Sequence, residues 1–374
     1  MFGPRFQLFR IFGIPIRIDA SWFIIALLVT WSLATGVFPQ QHAGLAASTY
    51  WLMGAVGALG LFASVVLHEL SHALVARHQG LTMGGITLFI FGGVAEMTDE
   101  PASPRAEFLI AVAGPVASVL VAAGCYLARL AADWPLAADA VLAYLALING
   151  ILVLFNLIPG FPLDGGRILR SALWQWRGSL RWATRVAARI GAGFGLALIF
   201  LGILVVVMPG GTMGGLWWVL IGLFLRNAAQ MGYQQLLLRQ SLEGEPVRRF
   251  MQSEPVTVPR AISVRELVED YIYRHHHKMF PVVDDGRLLG CVSTQEVKRL
   301  PVAEWERQSV GAVAQPCSGD NTIGPDDDAM AALGTMSRLK VSRLMVVEGE
   351  RLVGILSLKD LLKFLSLKVE LEEA

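Results

Sequence analysis

The chain has 374 residues, 54% of them hydrophobic and only 16% charged, with a formal net charge of +1 from 31 basic and 30 acidic side chains. That balance excludes an ordinary soluble enzyme and points to a membrane protein, while the near-neutral charge and the lack of a basic run interleaved with aromatics exclude a nucleic-acid binder. Charge is unevenly spread: lysine first occurs at Lys278, the first 226 residues hold scattered arginines, and the tail from Glu243 is rich in both signs, so two unlike parts join near residues 239–245.

Five apolar runs reach the roughly 20 residues that about 30 Å of hydrocarbon requires. They cover 20–38, 50–76, 108–130, 137–158 and 186–208, and a shorter run at 214–225 completes six predicted helices. The first run lacks a basic start followed directly by a short core and a small-residue cleavage site, so it reads as a retained helix and not a removed signal. Arginine sets the orientation. With the N-terminus inside, Arg5, Arg10, Arg17, Arg77, Arg105, Arg167, Arg170, Arg177, Arg181, Arg185, Arg189 and Arg226 fall on the cytoplasmic side and Arg129 alone on the other. The N-terminus and the polar tail are therefore expected in the cytoplasm of a multi-pass cell-membrane protein. Cys125, Cys291 and Cys317 give no disulfide framework, and a reduced compartment is expected for the tail.

Near the cytoplasmic end of the second predicted helix stands LHELSHAL, residues 67–74. His68 and His72 are four apart, so on a helix they share a face and can offer two imidazole nitrogens to one metal, while Glu69 beside them can reach a metal-activated water. This is the HExxH arrangement of zinc hydrolases. The alternative is a pair of packed or interfacial histidines, which an apolar helix disfavours because ionisable groups at membrane depth are expensive and usually face a polar interior.

A catalytic zinc usually takes three protein ligands and a water, and no histidine follows His78 until His275, so the third ligand must come from elsewhere. Asp19, Glu96, Asp99, Glu100, Glu107, Asp133 and Asp139 flank predicted spans and are expected as solvated interfacial carboxylates. Asp164 differs. In NLIPGFPLDGG, residues 156–166, Pro159 and Pro162 end the fourth helix and Gly165 and Gly166 free the backbone, exposing polar groups that must face protein or water. That suits a ligand at membrane depth.

HExxH at 68–72, followed about ninety residues later by Asn-x-x-Pro-x-x-Pro-x-Asp-Gly from Asn156, resembles the site-2 protease family of intramembrane zinc metalloproteases. The likeness covers residues 13–226, including GIPIRID at 13–19, GGITLFIFGGVAEM at 84–97 and AGP at 113–115. The resemblance implies that His68, His72 and Asp164 bind one zinc per chain, that Glu69 is the catalytic base, and that Asn156 positions substrate or stabilises the oxyanion. A plain helix-end hydrogen bond is the other role open to Asn156. The implied reaction is peptide hydrolysis in transmembrane protein substrates. Residues 84–97 read as a hairpin or re-entrant sheet shielded within the protein. Its edge is either available to an unwound substrate helix or purely structural.

In the tail, FPVVDDGRLLGCVSTQEV at 280–297 repeats as LMVVEGERLVGILSLKDL at 344–361, a shift of 64 residues. With the segment 251–271, this resembles a tandem pair of CBS domains, a module that commonly binds an adenine nucleotide such as AMP or ATP and can form a homodimer. The second copy has a less typical front half, around AQPCSGDNTIGPDDDAM. The resemblance maps ribose-holding hydroxyl and carboxylate groups onto Ser293 with Glu296 and Ser357 with Asp360. Capping boxes at helix starts explain the same spacing. His275, His276 and His277 read as a solvated helix end.

The expected fold class is a polytopic α-helical membrane protein of six transmembrane helices with a small β element, followed by α/β tandem CBS domains. Its parts are a protease domain at 1–226, a linker at 227–243 and CBS domains at 244–304 and 305–370. The rival reading is a CBS-regulated ion or metal transporter with His68, Glu69, His72 and Asp164 as its transport site. A carrier has no need of a glutamate beside two histidines so spaced, nor of the distal motif.

Overall fold

The computed structural model describes residues 5–97, 100–208, 212–285, 287–339 and 341–372. It divides into two compact units, Met1–Gln234 and Gln235–Ala374. Among the described residues, five helices are long and apolar enough to cross a membrane: α1 (Ser21–Gln41), α2 (Ala47–His78), α3 (Pro104–Ala131), α4 (Leu136–Asn156) and, after the shorter α5 (Asp164–Arg177), α6 (Leu180–Val207). Each matches one of the five long apolar runs. The sixth run lies in α7 (Thr212–Leu242), a 31-residue helix whose later part carries Asn227, Gln230 and Gln234. Residues 227–242, expected as linker, thus continue a helix.

These helices turn apolar side chains outward, with Leu154 72% and Val207 78% exposed, as a hydrocarbon solvent permits. At 1.5 Å per residue, the 32 residues of α2 span about 48 Å, well over the hydrocarbon thickness. Its buried stripe Ser64, His68, His72 and Ala76 repeats every four residues, one face of the helix.

Residues 84–97 do form a hairpin, β3 (Met83–Phe89) against β4 (Gly92–Met97). It is half of a four-stranded sheet. The other half is β1 (Arg5–Ile11) and β2 (Ile14–Asp19), in the order β1-β2-β3-β4 with β2 and β3 parallel, so β4 is an open edge. Ile14, Ile16 and Ile18 alternate inward along β2, and Ile14, Ile16 and Ile86 pack on Leu70 and Ala73 of α2. The sheet is thereby fixed to the helix that carries the two histidines.

In the tail unit, β5 (Val258–Pro259), β6 (Met279–Asp284), β7 (Arg287–Ser293) and β8 (Gln315–Pro316) make one sheet, with α8 (Thr294–Arg299) following β7. β9 (Thr322–Ile323), β10 (Arg343–Glu348) and β11 (Arg351–Ser357) make a second, with α9 (Ala329–Leu339) between β9 and β10 and α10 (Leu358–Glu372) after β11. The repeat holds down to the irregularity in each hairpin, between Val282 and Val283 in one and Val346 and Val347 in the other.

The cores do not respect the expected border at 304/305. Leu242, Val247 and Phe250 pack among Leu344, Val346 and Leu356 of the second copy, while Val310 joins Val264, Phe280 and Val292 of the first. Backbone bonds bind the exchange: Val247 N–H donates to the Asp327 carbonyl at 2.9 Å, and Val310 N–H to the Ile262 carbonyl at 2.8 Å.

Candidate active site

His68 and His72 are both buried on one face of α2, with their Nε2 atoms 3.2 Å apart. Asp164 opens α5 and brings Oδ2 to 3.0 Å from His68 Nε2 and 3.2 Å from His72 Nε2. Among the described residues these three alone form a cluster of this kind, their ligand atoms all within 4.8 Å of one another.

The far sides of both rings are tied down. His72 Nδ1 donates to the Ile110 carbonyl at 2.6 Å, and His68 Nδ1 lies 2.9 Å from Ser118 Oγ. A carbonyl only accepts, so His72 carries its proton on Nδ1 and turns the Nε2 lone pair to the cluster. Between these anchors, at the same i, i+4 spacing on α3, stands Gly114. A β-carbon there would fall 2.1 Å from His72 Nε2 and 2.6 Å from His68 Nε2, so the helix backbone itself closes one side of the centre. Two imidazole nitrogens and a carboxylate oxygen, converging and held from behind, fit a zinc ion by donor type and number.

Asp164 reaches this place because the chain after α4 folds tightly. β-Carbons at Gly165 and Gly166 would each come within 2.3 Å of backbone, Leu157 O in one case and Gly160 C in the other, so only glycine lets α5 start this close to the turn.

A cavity of about 640 Å³ opens beside the cluster, and its wall includes His68, Glu69, His72, Asn156, Asp164, Arg167 and strand β4. Glu69 faces β4 so closely that a β-carbon on Gly93 would lie 2.7 Å from its Cγ. The five protease-site residues read from the sequence therefore meet around one space. The tail residues lie in the other unit, each pair at a helix start. Ser293 accepts from the Gln295 N–H and donates to Glu296, forming a capping box, and the Ser357 hydroxyl donates to Asp360 while accepting that residue's N–H at 3.2 Å.

Sequence reasoning missed the groups behind the rings, Ile110 and Ser118, whose only local signal is their spacing of four from Gly114 in AGP. It also misplaced two acids. Glu107 is fully buried and not a solvated interfacial carboxylate: it is ion-paired to Arg170, which reaches Glu100 at 3.2 Å. Burying that charge in a helix is sustained by the guanidinium, sixty-three positions away in sequence. Asp19 is also buried, accepting from the backbone N–H of Ser21 at 2.9 Å and its hydroxyl at 2.7 Å. Asp99 lies outside the described residues.

A family model described as peptidase family M50 matches residues 56–134 and 127–202, and a CBS-domain model matches 247–302 and 317–367. The chain is 37% identical over 361 residues to Rip3 of Mycobacterium tuberculosis, covering 95% of this chain and 91% of that one. It is 31% identical over 367 residues to zinc metalloprotease MJ0392 of Methanocaldococcus jannaschii, covering 98% of this chain and 97% of that one. Among solved structures, the site-2 protease from Methanocaldococcus jannaschii is 31% identical, covers 61% of this chain and 94% of its own, and superposes with a TM-score of 0.45. With 37% and 31% identity to these relatives over nearly the whole chain and the metal-ready cluster in place, the chain belongs to peptidase family M50, the intramembrane zinc metalloproteases of the site-2 protease type, and carries a pair of CBS domains as its tail.

Proposed function

We propose that the chain cuts transmembrane segments of other proteins, using one zinc ion per chain held by His68, His72 and Asp164. The observation that carries this reading is the convergence of three ligand atoms, with both histidines tied at their far nitrogens, on the wall of a cavity that also holds Glu69. When bound, zinc supplies Lewis acidity towards water and the scissile carbonyl. Glu69 is the general base: it takes a proton from the attacking water and gives it to the departing amine nitrogen. Asn156, at the end of α4 on the same wall, donates its amide N–H to the carbonyl oxygen as charge develops there. The open edge of β4 offers backbone groups to a substrate drawn out of its helix, since a helical peptide bond is hidden until it is extended.

The arginine bias supports a cytoplasmic N-terminus and tail in the cell membrane. In the tail, Ser293 with Glu296 and Ser357 with Asp360 hold the ribose of AMP or ATP, and the CBS pair joins a second copy into a homodimer. Calorimetry of the intact chain with each nucleotide tests this part, and no heat of binding removes it.

For the protease site, His72→Ala should lose the metal by elemental analysis. Glu69→Gln should keep it and lose cleavage of a transmembrane substrate by about 10²- to 10⁴-fold, the usual contribution of a positioned base. Full metal retention in the first variant, or near wild-type cleavage in the second, overturns the assignment.

A further inference from the structure

Arg167 is the one arginine or lysine on the wall of the 640 Å³ cavity among the described residues. It follows Asp164 by three on α5, so both side chains leave the same helix face. Its side chain is only 14% exposed. A guanidinium carries five N–H donors and no acceptor. Among the described residues this one has two contacts, both weak: the Met97 sulfur at 3.9 Å from Nη2, and the Glu107 carboxylate at 4.0 Å from Nε.

Glu107 does not satisfy it: Oε1, the carboxylate oxygen nearest Arg167, is engaged at close range by Arg170, which stacks over the Phe161 ring at 5.0 Å, and the buried Oε2 makes no hydrogen bond to Arg167 either. Arg170 therefore holds Glu107 beside Arg167, and the Arg167 side chain lines the cavity with no strong acceptor for its donors among the described residues. A buried cation with unmet donors is costly unless something else accepts from them. The acceptors that a peptide in extended form brings into such a space are its backbone carbonyl oxygens.

We infer that Arg167 is a substrate-binding residue, whose guanidinium donates to a backbone carbonyl oxygen of the segment being cut. This rests on the protease reading above. The role is separate from metal binding, and it is separate from the base, because Arg167 neither ligates nor exchanges a proton.

The test uses the intact chain in detergent micelles with a fluorescently labelled transmembrane peptide that the wild type cleaves. Arg167→Ala should keep its zinc content and thermal midpoint while kcat/KM falls about 10- to 100-fold, the range for a hydrogen bond to a charged group. In the uncleaving Glu69→Gln background, adding Arg167→Ala should weaken binding of the same peptide by a similar factor. Added guanidinium ion should restore part of the activity of Arg167→Ala and none of that of Glu69→Gln. Unchanged kcat/KM and unchanged peptide binding overturn the inference. So does a loss that follows zinc content or thermal midpoint and is not rescued, which makes Arg167 a structural partner of Glu107 only. Should Arg167→Ala fail to fold, Arg167→Met keeps the long stem but has no donor, and wild-type kcat/KM in that variant overturns it equally. If instead Glu69→Gln cleaves normally, it is the protease reading that fails.

Discussion

In the membrane unit, Leu27, Leu154 and Val207 are 69%, 72% and 78% exposed, while His68, Glu107, Asp164 and Arg170 are buried. In the tail unit the pattern reverses: Val282, Val292, Leu344 and Leu356 are fully buried, and the described charged residues are at least partly exposed. Both follow one rule, that each surface matches its solvent, but the informative residue changes with the solvent. Against lipid an exposed leucine says nothing and every buried polar group demands a partner. Against water the apolar core reports the fold, and the site must be sought among polar groups that many other roles explain equally well.

The sharpest way to break this contrast is Gly114→Ala, which adds one apolar methyl group to the polar centre. With its β-carbon 2.1 Å from His72 Nε2, the rings must turn away from their anchors, and zinc content should fall from about one per chain to a small fraction. Elemental analysis reads this directly, and normal zinc content would show that the centre is looser than the geometry here. In the tail, Leu356→Ala should cost about 2–5 kcal/mol, because it hollows a fully buried core position. It should lower the urea midpoint for proteolysis of the tail in the intact chain and leave zinc content unchanged. Loss of zinc in that variant would show that the units do not stand apart in stability.

A smaller effect is expected at Ser118, whose hydroxyl lies 2.9 Å from His68 Nδ1. Ser118→Ala should weaken zinc affinity by about tenfold in a chelator competition, the low end for losing a group that orients a ligand. Smallest of all is a test at Cys291, where burial pushes the thiol up to about 11. Only the thiolate alkylates, so between pH 7 and 10 its labelling by iodoacetamide should rise about tenfold per pH unit and stay behind that of exposed Cys317. Mass spectrometry of the two peptides decides this, and faster labelling of Cys291 would mean that the strand opens.

Much of the site was legible because its pieces are local. His68, Glu69 and His72 lie on adjacent turns of one helix, and Asp164 sits in a run of closely spaced prolines and glycines that interrupts the apolar pattern after the fourth long helix. The hairpin at 84–97 was legible from its glycine pairs and β-branched residues. Its partner strands were not read, although Ile14, Ile16 and Ile18 alternate as a half-buried strand does, because residues 5–19 lead straight into an apolar helix that dominates the local pattern. Glu107, Arg167 and Arg170 were unreadable for a different reason: an arginine near a membrane boundary satisfies the charge bias whether or not it is buried. Only tertiary distance separates the two cases. The CBS pairs show the opposite limit, since Ser293 with Glu296 is a complete capping box and its spacing needs no ligand to explain it.

The exchange of segments between the two CBS cores bears on how this tail can be inherited and altered. Because Val247 and Phe250 close the second core and Val310 closes the first, neither copy carries all of its own apolar lining. A stop codon at the border visible in the sequence repeat, near residue 305, would leave the first core without Val310 and strip Leu242, Val247 and Phe250 of their partners rather than free a spare module. The pair must therefore be gained, lost or transplanted as one gene segment, starting no later than Leu242 and running through Leu361.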